Sequence, residues 1–248
     1  MKLKSAVAIS MLWCIALVSA HAAETRLAPM PPQLEARLAL SALPPALRDS
    51  ASVYLLDPAK GYRLSRKGSN GASCLVERTV WEWNEFRDDV FIPLCYDKAG
   101  SDTLLKVIID TAALRASNRN AAAIKTEVER RYRTKMYRAP QKPGLSYMAA
   151  PVMRAKGPPD MAIHTMAMPH LMFYAPGVTN ADIAARPDLA DDTSLQWPFA
   201  DRQGNAAQTY FIQMIGETEK AKILADEKQL VDDLCSWNPV LCLDHAHH

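Results

Sequence analysis

Four cysteines, and the segment that precedes them, constrain this chain more than anything else in it. The chain opens Met1-Lys2-Leu3-Lys4, runs apolar from Ala6 to Val18, and then reads Ser19-Ala20-His21-Ala22. A basic start, a short hydrophobic stretch and a small-x-small site predict a cleavable secretory signal peptide over residues 1–22. The apolar stretch falls short of the roughly 20 residues that a permanent span needs, so no transmembrane anchor is expected after cleavage. No twin-arginine pair occurs, which points to the general secretory route and a periplasmic or extracellular destination. Cys14 leaves with the signal. Cys74, Cys95, Cys235 and Cys242 remain, and an even count in an oxidising compartment predicts two disulfides. Three pairings are possible. Chain entropy favours neighbours, Cys74 with Cys95 and Cys235 with Cys242, because these loops close easily. Zinc is the rival reading, but neither pair has the two-to-four-residue gap of a zinc knuckle.

Cleavage after Ala22 leaves 226 of the 248 residues and removes Lys2 and Lys4, so 27 basic residues then face 27 acidic ones. A neutral chain has no whole-molecule field to attract nucleic acid, and no nucleic-acid partner is expected. Arg130-Arg131-Tyr132-Arg133-Thr134-Lys135-Met136-Tyr137-Arg138 is locally basic. It falls at a predicted helix C-terminus, where the helix dipole favours cations. About half the residues are apolar, enough for a sizeable core.

Residues 23–33, with Pro29, Pro31 and Pro32, predict a proline-rich linker, residues 34–243 a single domain, and residues 244–248 a histidine-containing tail. Leu34 and Leu38 lie on one side of a short helix, with Glu35 and Arg37 elsewhere. Strands are expected over 52–57, 61–66, 73–79 and 91–96, forming an antiparallel meander with a hairpin turn at Asn70-Gly71. Two helices follow, one capped at Ser101-Asp102 and one from about Asn120 with Ile124, Val128, Tyr132 and Met136 at four-residue steps. Leu145–Val152 and Met161–Tyr174 read as extended, with Pro169 interrupting the latter. Residues 175–207 read as loop with a short helix at Asn180–Ala185. Thr209–Ile215 reads as a strand and Glu217–Cys235 as a long helix. The fold class is therefore α+β: an antiparallel sheet, two helices inserted mid-chain and a long C-terminal helix.

Several stretches act together as a signature: Lys67-Gly68-Ser69-Asn70-Gly71, Cys74-Leu75-Val76-Glu77-Arg78, Pro93-Leu94-Cys95-Tyr96-Asp97 and Pro169-His170-Leu171-Met172-Phe173-Tyr174-Ala175-Pro176. With Leu234-Cys235 and Leu241-Cys242 they resemble a group of exported bacterial proteins whose motifs are tied to no known chemistry. The resemblance covers most of the chain after the signal. It implies one domain, cysteines included, and transfers no activity.

Met161–Tyr174 is the segment richest in chemistry. It holds four of the eleven methionines, and the only two histidines between the cleavage site and the tail. Met148 and Met153 lie just upstream. His164, Met166, Met168 and His170 form a candidate Cu(I) set, since thioethers and imidazoles are soft donors. Methionine is equally a filler of irregular cores. His164, His170, Tyr174 and Asn180 form a candidate ligand site, with His170 a candidate base. No nucleophile pattern accompanies it: Gly144-Leu145-Ser146-Tyr147-Met148 lacks the second glycine of a nucleophile elbow. Trp81 and Trp83 would share one face of a strand, exposed to a partner or packed inside. The leading expectation is non-enzymatic binding of a small molecule or an envelope component, with no resident cofactor. A hydrolase-like enzyme centred on His170 and copper binding through residues 161–172 are the alternatives.

Overall fold

The structure, a computed structural model, describes residues 27–191 and 193–243. The predicted signal peptide over residues 1–22, the first residues of the expected linker and the tail at 244–248 lie outside them. What is described of the linker packs onto the domain, with Leu27 and Met30 buried. Pro31 sits at the N-cap and Pro32 opens helix α1, Pro32–Ser41, where a missing N–H costs nothing. Leu34 and Leu38, one turn apart, bury its inner face. A single turn, α2 (Pro45–Arg48), leads into the sheet.

Strands β1 (Ser52–Asp57), β2 (Gly61–Arg66), β3 (Ser73–Glu77) and β4 (Ile92–Tyr96) fall where the alternation of side chains places them. Their topology differs from a meander. β1 lies between β2 and β3, antiparallel to the first and parallel to the second. Asn70-Gly71 is therefore no hairpin turn. Asn70 instead anchors the crossing loop: its amide donates to the Leu47 carbonyl (2.9 Å), its side-chain oxygen accepts from Ala72 N–H (3.0 Å), and Gly71 supplies φ +80°. The loop threads back because Ser52 N–H bonds the Ala72 carbonyl, which aligns β1 with β3.

Between β4 and the next strand stand α3 (Lys98–Ser101), α4 (Leu104–Ala116) and α5 (Ala121–Arg133). Asp97 caps α3, its carboxylate accepting from Gly100 N–H at 2.9 Å, while α4 starts after Thr103 with no side-chain cap, so neither Ser101 nor Asp102 caps it. Asn120 caps α5, and Ile124, Val128 and Tyr132 pack on Val107 and Trp81. The stripe stops at Tyr132, because the helix ends at Arg133 and leaves Met136 exposed. Trp81–Trp83 form a 3-10 turn, not a strand, so the two indoles separate: Trp81 is buried and Trp83 half-buried.

β5 (Leu145–Met148), β6 (Met153–Lys156), β7 (Ile163–Met166), β8 (His170–Tyr174), β9 (Phe199–Arg202) and β10 (Thr209–Met214) complete the strands. Eight form one sheet in the order β2-β1-β3-β4-β5-β8-β10-β9, antiparallel except at β1–β3, and β6–β7 form a separate ribbon. Asn180–Ala185 shrinks to a 3-10 turn at Ala181–Ile183. The C-terminal helical stretch is two helices rather than one long one: α6 (Glu217–Asp226) and α7 (Lys228–Trp237). They part at Glu227, whose carboxylate pairs with Arg48. α6 buries no residue, whereas α7 turns Leu230 and Leu234 onto α1 and the sheet.

Both disulfides join neighbours, Cys74–Cys95 and Cys235–Cys242. The first links directly opposed residues of β3 and β4. The sheet divides two cores. Cys74, Val76 and Cys95 face α1 and α7, while Leu75, Leu94, Tyr96, Met148, Met172, Tyr210 and Ile212 face the other side. No helix among the described residues is long and apolar enough to cross a membrane.

Candidate functional site

Period-two alternation sends one side chain in two to the second face of the sheet. From β3 to β9 that row reads Glu77 and Leu75, then Ile92, Leu94 and Tyr96, then Met148, His170, Met172, Ile212 and Met214, and last Phe199 and Asp201. The register confirms it: Glu77 opposes Ile92, Met148 opposes His170, His170 opposes Met214, and Ile212 opposes Phe199. Over this floor sit the β6–β7 ribbon, the Trp81–Trp83 turn and Leu189 and Leu195 of the long loop. They flank a cavity of about 320 Å³ that is partly open to solvent. Its walls are mostly apolar, with six methionines: Met148, Met153, Met161, Met168, Met172 and Met214. A larger groove of about 540 Å³ lies around Trp197, Phe199 and Phe211, but no group of polar side chains converges in it.

Polar groups do converge in the Met-lined cavity: Glu77, Glu82, Lys156, His170, Asp201, Arg202 and Gln203. His170 is 4% exposed. Its Nδ1 lies 2.7 Å from the Met168 carbonyl, which can only accept, so Nδ1 carries the proton. Burial holds its pKa below the ordinary value, although the Met168 carbonyl pulls the other way. The neutral ring then presents Nε2 as a bare acceptor. Desolvation pushes Glu77 well up, helped by the charge of Glu82, and lifts Glu82 to about 7. Asp201 is raised for the same reason. Among the described residues no lysine or arginine forms an ion pair with these three. Lys156, which lines the cavity, is held by Glu85 at 2.6 Å and lies 4.9 Å over the Trp83 ring, while Lys125 and Lys156 draw Glu82 down against its burial.

Of the residues singled out from the sequence, Trp83, Met148, Met153, Met161, Met168, His170 and Met172 line this cavity. The others stand elsewhere. His164 Nε2 meets Asp160 at 2.7 Å on the surface. Met166 packs beside the same core without lining the cavity. Tyr174 shares its one hydroxyl proton between Asp97 (2.9 Å) and the Leu145 carbonyl (2.8 Å). Asn180 is spent on Ala200, donating to its carbonyl at 2.9 Å and accepting from its N–H at 2.7 Å. Glu77, Glu82, Asp201 and Met214 are the site residues that sequence reasoning missed. Alternation from Leu75 foretells the facing of Glu77, and alternation along 209–215 that of Met214. Nothing local foretells Glu82 or Asp201.

The arrangement can do two things chemically. It can enclose an apolar body against methionine and aromatic walls, methionine adapting readily to an irregular shape. It can also offer soft donors, since Met148, His170 and Met214 are side by side across three strands. Among the described residues no group of three His, Cys, Asp or Glu is placed to hold a metal ion. None of the cavity's lining residues is a serine, threonine or cysteine. Ser146 is fully buried with no partner for Oγ; it shares the floor's face, opposite Tyr96 and Met172, but does not line the cavity. Together the fold and site define an α+β domain, cross-linked by two disulfides, around a cavity. No family model, curated protein or solved structure matches the chain.

Proposed function

We propose that this is an exported, non-enzymatic binding protein that holds a small, largely apolar molecule in the cavity between the sheet and the β6–β7 ribbon. The observation that carries the reading is the cavity itself: about 320 Å³, apolar walls and a few convergent polar groups, the usual anatomy of a ligand site. Its two disulfides suit an extracytoplasmic compartment. A hydrolase-like role for His170 finds less support, because its ring bonds only a backbone carbonyl and no serine, threonine or cysteine lines the cavity beside it. Copper is the second reading, favoured by the Met148–His170–Met214 row rather than by His164 and Met166.

One experiment addresses both readings. The oxidised protein is titrated with N-phenyl-1-naphthylamine, a neutral apolar fluorophore, and separately with Cu(I). Ala155, buried in the cavity wall, is changed to Phe to fill the space. Fluorophore affinity is expected to fall about tenfold or more, a loss of about 1.4 kcal/mol, in a variant that still melts cooperatively. A folded Ala155→Phe protein with undiminished binding would overturn the cavity reading. Should that variant not fold, the smaller Ala155→Leu gives the same comparison. Cu(I) binding lost in Met148→Leu/Met214→Leu, with fluorophore binding kept, would establish copper instead.

A further inference from the structure

We propose that the cavity's ligand is an apolar amine, carrying its protonated nitrogen against Glu77, Glu82 and Asp201 and its hydrocarbon body against the methionine floor. The inference rests on the binding reading above and names the ligand class.

Four observations converge. First, three carboxyl side chains from three separate elements line one cavity: Glu77 from β3, Glu82 from the 3-10 turn and Asp201 from β9. Second, none forms an ion pair among the described residues: Lys156 is committed to Glu85 and Trp83, Lys125 donates to the Glu82 carbonyl instead of its carboxyl, and Arg202, at the cavity's edge, is exposed. Desolvated acids without a counter-charge are costly, and they are normally paired. Third, His170 is nine-tenths buried and turns an unpartnered acceptor, Nε2, into the same space. A bound ammonium favours the charged form of these acids; the charged carboxyls and the neutral imidazole then all accept, and a primary ammonium brings three donors. Fourth, the remaining walls are thioethers and rings. Trp83, Tyr96 and Phe199 add faces on which a cation is favoured. An anionic ligand would meet like charge, and a neutral lipid would leave the acids unpaired.

Geometry also orders the ligand. Met148, Met172, Ile212 and Met214 make the floor in mid-sheet, while the carboxyls gather at the Glu82 turn, near enough that the charge of Glu82 acts on Glu77 and that of Asp201 on Glu82. Glu82 reaches in from the turn above.

The test uses the oxidised protein and a matched series: octylamine, octanol and octanoate, measured by calorimetry near neutral pH. Octylamine, protonated there, is expected to bind at least about tenfold more tightly than octanol, with octanoate weakest. In Glu77→Gln/Glu82→Gln/Asp201→Asn the preference for amine over alcohol is expected to fall to about threefold or less, with octanol affinity nearly unchanged. The amides keep size and polarity, so folding is checked only by melting. Single variants replace the triple if it does not fold, and each is expected to lower the preference. Octanol or octanoate binding as well as octylamine would overturn the amine assignment while leaving the cavity reading intact. An amine preference that survives loss of the carboxyls would overturn it too. No binding by any member, together with no fluorophore binding, would remove the cavity reading itself.

Discussion

Glu35 shows how far a single side chain can depart from its place in a helical pattern. On α1 it falls off the Leu34–Leu38 stripe, which reads as the solvent side, yet it is buried. β1 pairs with β3 only at Ser52 and Val53, so Leu56 N–H beyond them finds its acceptor in the Glu35 carboxyl at 2.8 Å. Burial lifts that carboxyl to about 7, against the opposing pull of the Leu56 hydrogen bond and of Arg78 and Arg63. The sign follows. Below pH 4.5 the acid is protonated whether folded or not, and it has no effect on stability. Between about 4.5 and 7 the unfolded chain releases its proton first, so this group destabilises the fold progressively as pH rises. Glu35→Gln keeps an acceptor for Leu56 and removes the charge. It is expected to raise stability above pH 7 by about 1–3 kcal/mol and to change little below about pH 4.5. Urea melts of both proteins across that range check it, and equal slopes with pH would refute it. His170 acts in the opposite sense. Its lowered pKa means stability is lost as pH falls through about 6.5, where the unfolded imidazole takes a proton that the buried one refuses.

Among the elements, the β3–β4 pair carries the strongest local constraint. Cys74 and Cys95 close a loop with a separation of 21 residues, and Cys235 and Cys242 one of 7. On chain-entropy grounds, replacing the first pair by alanine costs about 3 kcal/mol and the second somewhat less, about 2 kcal/mol. Denaturant melts of the two double variants, with the oxidised parent, measure the difference. A larger loss from the Cys235–Cys242 pair would contradict the ordering. These elements were legible because short-range rules govern them: alternation marks β1 to β4, four-residue steps mark α5, and an asparagine caps it at Asn120. The elements that were misread have long-range causes. Asn70-Gly71 has the chemistry of a hairpin, but Ser50 and Ser52 draw the loop across to β1. The break between α6 and α7 has no glycine or proline to announce it, and comes where α7 must lie on α1.

For the molecule as a whole, α1 is the joint. It contacts β1, β3, β4 and α7, and Leu38 at its centre is fully buried. Leu38→Ala is expected to cost about 2–5 kcal/mol, since neighbours on four sides cannot all collapse into the gap. Thermal or denaturant unfolding measures it, and a loss below 1 kcal/mol would mean that the site relaxes freely. The cavity lies across the sheet from this joint, so the same change should leave fluorophore binding intact in protein that remains folded. What the sequence by itself determined is the local layer: where strands and helices form, that neighbouring cysteines pair, and that Met161–Tyr174 carries unusual chemistry. Those features depend on spacing and on short loops, which are present in the chain's order. Only the tertiary structure decided which of these residues share a space. Met148, His170 and Met214 became neighbours because β5, β8 and β10 pair in one register. Glu77, Glu82 and Asp201, 124 positions apart at their extremes, met because the sheet brings β3 and β9 beneath one roof. Proximity across strands is set by hydrogen-bonded register and by which face each side chain takes, and neither is written in any one segment.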